Sequence, residues 1–227
     1  MGGRGYSSAT ARRSSRVKAM GGVNAYGIKG NAPADVSEAL NRYANGKAED
    51  AKMIGAQQKG DTKSEYGKLA QAIDDYAQGK GTNRGVFRGV AMTDKEVKAM
   101  VSGKKGFPNR ATLNSWSIAS AVAMEFAVGN SRRNIYKENE YIRTTGKKHK
   151  TIASTPVLFR MQGGVKNAAS VSAAGLPRMR KVGDSLRQEY SEQEYIGSKN
   201  NQYEITGYER GSYNKYGAHV FDVRQVK

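Results

Sequence analysis

Two carboxylates in an i, i+2 arrangement are the first feature of this sequence that could do chemistry. Glu192 and Glu194 flank one glutamine in the stretch Tyr-Ser-Glu-Gln-Glu-Tyr-Ile. In a β-strand these positions face the same side, so the two carboxylates would lie together, and their like charges would repel. The pair is therefore either a solvated strand end or two carboxylates with separate roles, as in glycosyl transfer through an oxocarbenium-like state.

Two more patterns offer polar groups to a ligand. Ser115 and Ser117 share the i, i+2 spacing in Leu-Asn-Ser-Trp-Ser, which makes them either a polar strand face or two hydroxyls that orient a ligand or a carboxylate. Arg88 lies in the β-prone run Val-Phe-Arg-Gly-Val. It is either an edge residue that faces water or a buried guanidinium that binds phosphate or carboxylate.

The residue types that are missing exclude several other chemistries. The chain has no cysteine, which rules out disulfides, a thiol nucleophile and cysteine-ligated metal or iron–sulfur sites. The two histidines, His149 and His219, are far apart in the sequence. This argues against a histidine-rich metal site or a Ser-His-Asp triad. We expect His149 to be a solvated loop residue and His219 to be structural.

The elements that must position these side chains are helical first and extended later, which predicts an α+β fold. Apolar spacing and capping residues predict helices from about Pro33, over 47–58, from Ser64 to Gly79, from Thr93 to Val101 and from Ala119 to Val128. Short β-prone runs predict strands at 86–90, 113–117, 156–161, 195–196, 203–206 and 219–226. The segments 131–152 and 163–187 show neither pattern and are predicted to be surface loops.

Length and composition are typical of one folded domain with an appendage, or of two small domains. Of 227 residues, 37% are hydrophobic, which is enough for a sizeable core. Residues 1–32 are rich in Gly, Ser, Ala and Arg and predict a flexible basic arm. There is no run of 18 apolar residues and no apolar segment near the N-terminus. We therefore expect a cytoplasmic protein with no membrane partner.

The formal net charge of +18 first suggests nucleic-acid binding. The basic excess lies in residues 1–33 and in the middle of the chain, whereas the last forty residues carry one more acidic than basic group. Because the excess stops short of Glu192 and Glu194, it fits a basic surface around an anionic cofactor with a carboxylate pair left for a cationic acceptor.

Taken together, the three motifs resemble the mono-ADP-ribosyltransferase family, in the class with an Arg, Ser-x-Ser and Glu-x-Glu signature. The resemblance covers about residues 34–226. It rests on the order, spacing and flanking residues of three motifs. The first is Phe87-Arg88-Gly89, and the second is Ser115-Trp116-Ser117, followed by Ala123-Met124-Glu125-Phe126-Ala127. The third is Glu192-Gln193-Glu194-Tyr195-Ile196, followed by the strand Tyr203-Glu204-Ile205-Thr206. The family's Asn-x-x-Leu-Arg stretch has no clean match around residues 51–60.

The resemblance implies a split β-sandwich of two packed sheets with an N-terminal helical lobe. The expected organisation is a basic arm at 1–32 and a catalytic domain at 33–227, divided into the helical lobe at 33–82 and a mixed sheet core at 83–227. The resemblance also implies that NAD is the ADP-ribose donor and that the reaction needs no metal.

The resemblance further implies a role for each motif residue. Arg88 would bind the phosphate and ribose side of NAD, and Gly89 would let the backbone approach the nicotinamide amide. Ser115 would orient Glu194, with Ser117 as support. Glu194 would bind the nicotinamide ribose and stabilise its developing positive charge. Glu192 would contact the incoming nucleophile, and a glutamate there resembles the arginine-modifying members.

Three functions stay open at this point. The first is an effector that modifies an arginine of a host protein; the Met-Gly-Gly-Arg-Gly start favours a bacteriophage-encoded protein that acts in a bacterial cell. The second is the same chemistry directed at a nucleic acid. The third is a non-enzymatic nucleic-acid-binding or virion protein on this fold. Four arginines of the arm could contact nucleic acid, steer the protein to a partner or belong to a packaged arm: Arg4, Arg12, Arg13 and Arg16.

Overall fold

The computed structural model describes residues 30–45, 48–149, 151–174, 178–182, 185–189, 194–210 and 217–227. Glu192 and the predicted basic arm, apart from residues 30–32, lie outside the described residues, so the predictions made for them stay untested.

Three helices form the lobe that precedes the strands: α1 (Ala34–Asn45), α2 (Glu49–Gln58) and α3 (Glu65–Ala77). All three were predicted from the sequence, α1 and α3 from their apolar spacing. Helix α3 begins at Ser64, whose hydroxyl accepts a hydrogen bond from the Gly67 amide at 3.1 Å. Leu40, Met53 and Ile73 are fully buried, so one apolar contact region holds the three helices together.

The described strands form one large sheet and two small ribbons. The large sheet has seven strands in the order β10-β11-β4-β2-β3-β9-β6 and mixes parallel with antiparallel pairs. Strands β1 and β5 form one ribbon and strands β7 and β8 the other. The strands are β1 (Gly81–Thr82), β2 (Val86–Met92), β3 (Asn114–Ser117), β4 (Thr155–Met161), β5 (Val165–Lys166), β6 (Ala168–Ser170), β7 (Arg178–Val182), β8 (Ser185–Glu189), β9 (Glu194–Gly197), β10 (Tyr203–Arg210) and β11 (His219–Gln225).

The seven-stranded sheet is nearly divided between β2 and β3. These strands share the single residue pair Phe87–Ser117, whereas β2 and β4 pair over seven positions. Strands β10, β11, β4 and β2 therefore form one half, and β3, β9 and β6 form the other. The α+β fold with a helical lobe is confirmed, and this split separates the two halves of its sheet.

Two apolar regions flank the second half of the sheet. Trp116, on one side of β3, lies in an aromatic core, with its ring 5.1 Å from that of Tyr203. Ile196 of β9, which pairs with Ser115, belongs instead to the core of the helical lobe. Because side chains alternate along a strand, the face of β3 that carries Ser115 and Ser117 is directed at the helical lobe.

The two remaining helices follow β2 and β3. Helix α4 (Asp94–Val101) begins with the predicted capping box, in which Thr93 and Glu96 satisfy each other's backbone amides. Helix α5 (Ser120–Thr145) has 26 residues and packs its first half against β2 and β4. Within the described part of the chain, no helix combines the length and apolar character needed to cross a membrane.

The length of α5 corrects one prediction. The helix was expected to end at Val128, because the apolar spacing stops there, and 131–152 was expected to be a loop. Instead the helix continues to Thr145 and ends at Gly146, whose φ of 67° is left-handed. Polar contacts replace apolar ones along its buried side: Ser131 donates to the Ser154 carbonyl, and Asn134 donates to the Ala153 carbonyl at 2.7 Å.

The segment 163–187 corrects a second prediction. It was expected to be a loop, yet it contains strands β5 and β6, a 3-10 helix (Val171–Ala174), strand β7 and the start of β8. Ala168 and Ala169 are buried and their strand pairs with β9. Small residues in short strands carry too little apolar periodicity to be recognised, and their backbone pairing is decided by distant segments.

Candidate active site

Arg88 connects strand β2 to strand β3 across the split in the sheet. Its guanidinium Nη1 donates to the carbonyl of Ser115 at 3.0 Å. The side chain is half-buried, and among the described residues it forms no ion pair. Burial lowers the pKa of Arg88 below its ordinary value, and the positive charge of Arg110 acts in the same direction. A cation in this state would be stabilised by an anionic ligand.

Ser117 lies at the point where three strands meet. It pairs with Phe87 of β2 on one side and with Glu194 of β9 on the other. Directly opposed residues of antiparallel strands project to the same face, so Ser115, Ser117 and Glu194 share one face. The Ser117 hydroxyl is buried and accepts a hydrogen bond from the Ala119 amide at 3.0 Å, just before α5 begins.

Glu194 is the first residue of β9 and is half-buried. It lies close enough to Arg88 for its negative charge to raise the pKa of the guanidinium, against the larger effect of burial. The structure therefore brings together Arg88, Ser115, Ser117 and Glu194, which the sequence places in three separate motifs. Glu192, the second carboxylate of the pair, lies outside the described residues.

Tyr43 is a member of this cluster that the sequence did not identify. The Ser115 hydroxyl donates to the Tyr43 phenol oxygen at 3.2 Å, and the Tyr43 side chain comes from α1 of the helical lobe. Burial raises the pKa of Tyr43 to about 12; the Ser115 hydrogen bond opposes this shift and the charge of Glu194 adds to it. In the sequence, Tyr43 was one more apolar position on a helix, with no signal that set it apart.

Gly89 follows Arg88 but has a packing function in this structure. A Cβ atom at this position would lie 1.6 Å from the Ala123 carbonyl oxygen, so β2 can approach α5 this closely only with glycine. The helix contact accounts for the glycine, and the expected role of Gly89 toward nicotinamide stays a prediction.

A fixed loop places another cation near Arg88. The side chain of Asn109 donates to the Tyr203 carbonyl at 2.7 Å and accepts from the Tyr203 amide at 2.8 Å. The next residue, Arg110, is exposed, and its guanidinium has no hydrogen-bond or ion-pair partner among the described residues. The loop continues to Leu113, whose amide donates to the Gln57 side chain at 2.8 Å. Two guanidiniums, one half-buried and one exposed, therefore lie close enough for the charge of Arg110 to affect the pKa of Arg88.

The histidines lie outside this cluster. His149 bonds to Glu138 through its ring and its backbone amide, and half of its side chain is exposed. The ring of His219 pairs with the Tyr208 hydroxyl at 2.8 Å. In the described ranges, no three Asp, Glu or His side chains cluster in a way that could hold a metal ion.

The arrangement combines three chemical capacities. Arg88, which has no ion-pair partner in the described part of the chain, can bind phosphate or carboxylate oxygens, because a guanidinium is a planar donor of several hydrogen bonds. The hydroxyls of Ser115 and Tyr43 can orient a ligand or a carboxylate. The half-buried carboxylate of Glu194 can stabilise positive charge that develops nearby.

Comparisons with known proteins reveal similarity in fold rather than in sequence. No protein-family model matches the chain, and no curated protein matches it significantly. Among solved structures, the Vis toxin, an ADP-ribosyltransferase from Vibrio splendidus, matches with a TM-score of 0.52 and 14% identity over 100% of this chain and 88% of that chain. A structure of the ADP-ribosyltransferase Vis with the M6 inhibitor matches with a TM-score of 0.51 and 16% identity over the same shares.

A third solved structure belongs to a larger toxin. The enzymatic component C2-I of the C2 toxin from Clostridium botulinum matches with a TM-score of 0.51 and 12% identity, over 87% of this chain and 44% of that chain. At these identities the similarity concerns the fold. The chain therefore has the α+β fold found in ADP-ribosyltransferase toxins.

Proposed function

We propose that the chain is a mono-ADP-ribosyltransferase that transfers ADP-ribose from NAD to an acceptor and releases nicotinamide. The observation that carries the proposal is the half-buried Arg88, which forms no ion pair with a described residue and is bonded to the backbone of Ser115 beside the face that bears Glu194. A buried cation without a carboxylate is costly unless a ligand supplies the anion. The diphosphate of NAD is an anion of suitable geometry, and the fold is that of enzymes with this activity.

In this proposal each residue of the site has a separate role in the reaction. Arg88 holds the diphosphate and so fixes a flexible substrate. Ser115 and Ser117 support Glu194, whose carboxylate stabilises the positive charge on the ribose as the bond between its C1′ and nicotinamide breaks. Nicotinamide leaves with the bonding electron pair, a new bond forms from C1′ to the acceptor, and the acceptor loses one proton.

For the acceptor we propose a protein arginine side chain, which makes the enzyme a toxin-like effector on proteins of a host cell. A guanidinium is normally protonated and is then a poor nucleophile, so a second carboxylate is needed to hold it and take its proton. Glu192 occupies the sequence position for this role. The acidic balance of the last forty residues supports a cationic acceptor.

The function is tested by incubating the full chain with adenylate-labelled NAD and a bacterial lysate, followed by protease or nuclease. Label removed by protease alone supports transfer to protein, and label removed by nuclease would redirect the proposal to nucleic acid. If no label is transferred and no nicotinamide is released, the proposed enzyme activity is contradicted and a non-enzymatic binding protein is favoured.

The arginine assignment has its own test. Glu192→Gln should lose transfer to free arginine but keep hydrolysis of NAD, because only the second carboxylate is assigned to the acceptor. A variant that loses both activities equally would contradict the division of roles between Glu192 and Glu194.

A further inference from the structure

The second half of α5 presents a row of cations that no part of the proposed reaction uses. Arg132, Arg133, Lys137 and Arg143 are all exposed, and Tyr136 between them is 68% exposed. Positions 132, 136 and 143 are separated by four and seven residues and so share one side of the helix, with 133 and 137 beside them. We call these five residues the α5 basic face.

The cations of this face lack partners within the described chain. None of the four forms an ion pair or a side-chain hydrogen bond with a described residue. The acidic Glu138 faces away from them: it is buried and bonded to His149. Exposed Glu140 is the remaining acidic group in this half of the helix, and Lys147 and Lys148 follow beyond its end.

Some arginines elsewhere on the domain are paired with carboxylates. Arg42 bonds to Glu49 at 2.9 Å and to Glu65 at 2.6 Å, and Arg160 bonds to Asp222 at 2.6 Å. The four cations of the α5 basic face have no such carboxylate partner among the described residues, so their charge is open to an external anion.

We propose that the α5 basic face binds single-stranded nucleic acid. The face runs for about 17 Å along the helix axis, and a nucleic-acid strand carries about one phosphate per 3.4 Å, so several phosphates match its cations. The exposed ring of Tyr136, set among those cations, offers a stacking surface for an unpaired base. An anionic membrane fits less well, because the exposed apolar side chains of this half besides Tyr136 are two partly exposed isoleucines, Ile135 at 41% and Ile142 at 37%, which is less apolar surface than insertion needs.

This inference does not rest on the proposed enzyme activity. The α5 basic face belongs to the outer half of the helix, whereas the half beneath Gly89 is near the candidate active site. Failure of either proposal therefore leaves the other standing.

The test is fluorescence anisotropy of a short single-stranded RNA with the full chain over a range of salt concentrations. One variant carries Arg132→Gln, Arg133→Gln, Lys137→Gln and Arg143→Gln. The matched control carries Lys63→Gln, Lys68→Gln, Lys95→Gln and Lys98→Gln, which removes the same charge from exposed positions on other helices and loops.

The first variant should bind more weakly, and its slope of log affinity against log salt should be flatter by about 3, since each lost phosphate contact contributes about 0.7. The control should change the slope by less than about 1. Tyr136→Ala keeps every charge and should weaken binding about 5-fold or more through lost stacking. Both sets change exposed side chains, so circular dichroism should show unchanged folding.

Equal slopes for the α5 variant and the control would overturn the proposal, as would unchanged affinity in Tyr136→Ala. It would also be overturned if the α5 cations were needed for binding polyglutamate or phosphatidylserine vesicles while the chain bound no RNA.

Discussion

The hydroxyl of Ser115 donates a hydrogen bond to the phenol oxygen of Tyr43 across 3.2 Å and so joins strand β3 to helix α1. This contact ties the helical lobe to the strand that carries the Ser-x-Ser motif. It also determines where the Ser115 proton points, which matters if Ser115 orients Glu194.

Tyr43→Phe should therefore slow nicotinamide release while the protein stays folded. Losing one neutral hydrogen bond costs about 1 kcal/mol of stability, and a similar loss of orientation lowers turnover about 5- to 10-fold. Steady-state kinetics and a thermal melt check both values. In a double-mutant cycle with Ser115→Ala the two losses should not add, because Tyr43 acts through Ser115; additive losses would contradict this.

Arg88→Met should raise stability and weaken NAD binding. The half-buried guanidinium has no ion-pair partner among the described residues, so an apolar side chain of similar length removes a desolvation cost. The bound NAD would lose a charge-assisted contact of about 2 to 3 kcal/mol, or about 30- to 150-fold in affinity. Melting curves with and without NAD measure both effects. A less stable variant that still melts higher with NAD would show that Arg88 is structural.

Glu194→Gln should lower turnover about 1000-fold with a change in NAD affinity of less than about 3-fold, since the amide cannot stabilise positive charge on the ribose. Nicotinamide release under single-turnover conditions and NAD titration separate the two quantities. Near-normal release by this variant would remove Glu194 from the reaction.

Gly89→Ala should destabilise the domain by about 3 kcal/mol or more, because the added methyl would collide with the Ala123 carbonyl. Urea unfolding measures the loss. Gly129→Ala is the matched control in α5: nothing lies within 4 Å of its new methyl, and alanine favours a helix over glycine by about 1 kcal/mol. If both variants were equally stable, β2 and α5 could not be packed as closely as the structure has them.

Acid should weaken the outer half of α5. Burial raises the pKa of Glu138, but hydrogen bonds from the ring and amide of His149 outweigh it, so the pKa lies below its ordinary value. A carboxyl group whose pKa is lower in the folded than in the unfolded protein stabilises the fold at pH values above its unfolded pKa. This contribution to stability is lost as the pH falls through the pKa of the folded state. The hydrogen-exchange protection factors of residues 138–149, which compare each measured rate with the intrinsic rate at the same pH, should therefore fall as the pH drops below about 4. Glu138→Gln should show lowered protection factors at neutral pH as well; protection factors that do not change with pH in the natural chain would contradict the pairing.

The elements that the sequence predicted correctly are those with strong local signals. The three lobe helices have apolar residues at helical spacing, α4 has its capping box and β4 is an apolar run, and each can be recognised without knowing its neighbours. The outer half of α5 was missed because Ser131, Asn134 and Glu138 cover its buried side, and polar residues at those positions predict solvent rather than contact.

The candidate site likewise has features that the sequence shows locally and features that depend on distant contacts. The sequence by itself determined the types and order of the chemical groups: a guanidinium in a β-prone run, two serines with strand spacing, a carboxylate pair and no thiol. Only the tertiary structure decided that Ser117 pairs with both Phe87 and Glu194, that Tyr43 reaches Ser115, and that Gly89 serves α5. The physical reason is that strand register and lobe docking depend on long-range pairing and close packing, which leave no periodic signal along the chain.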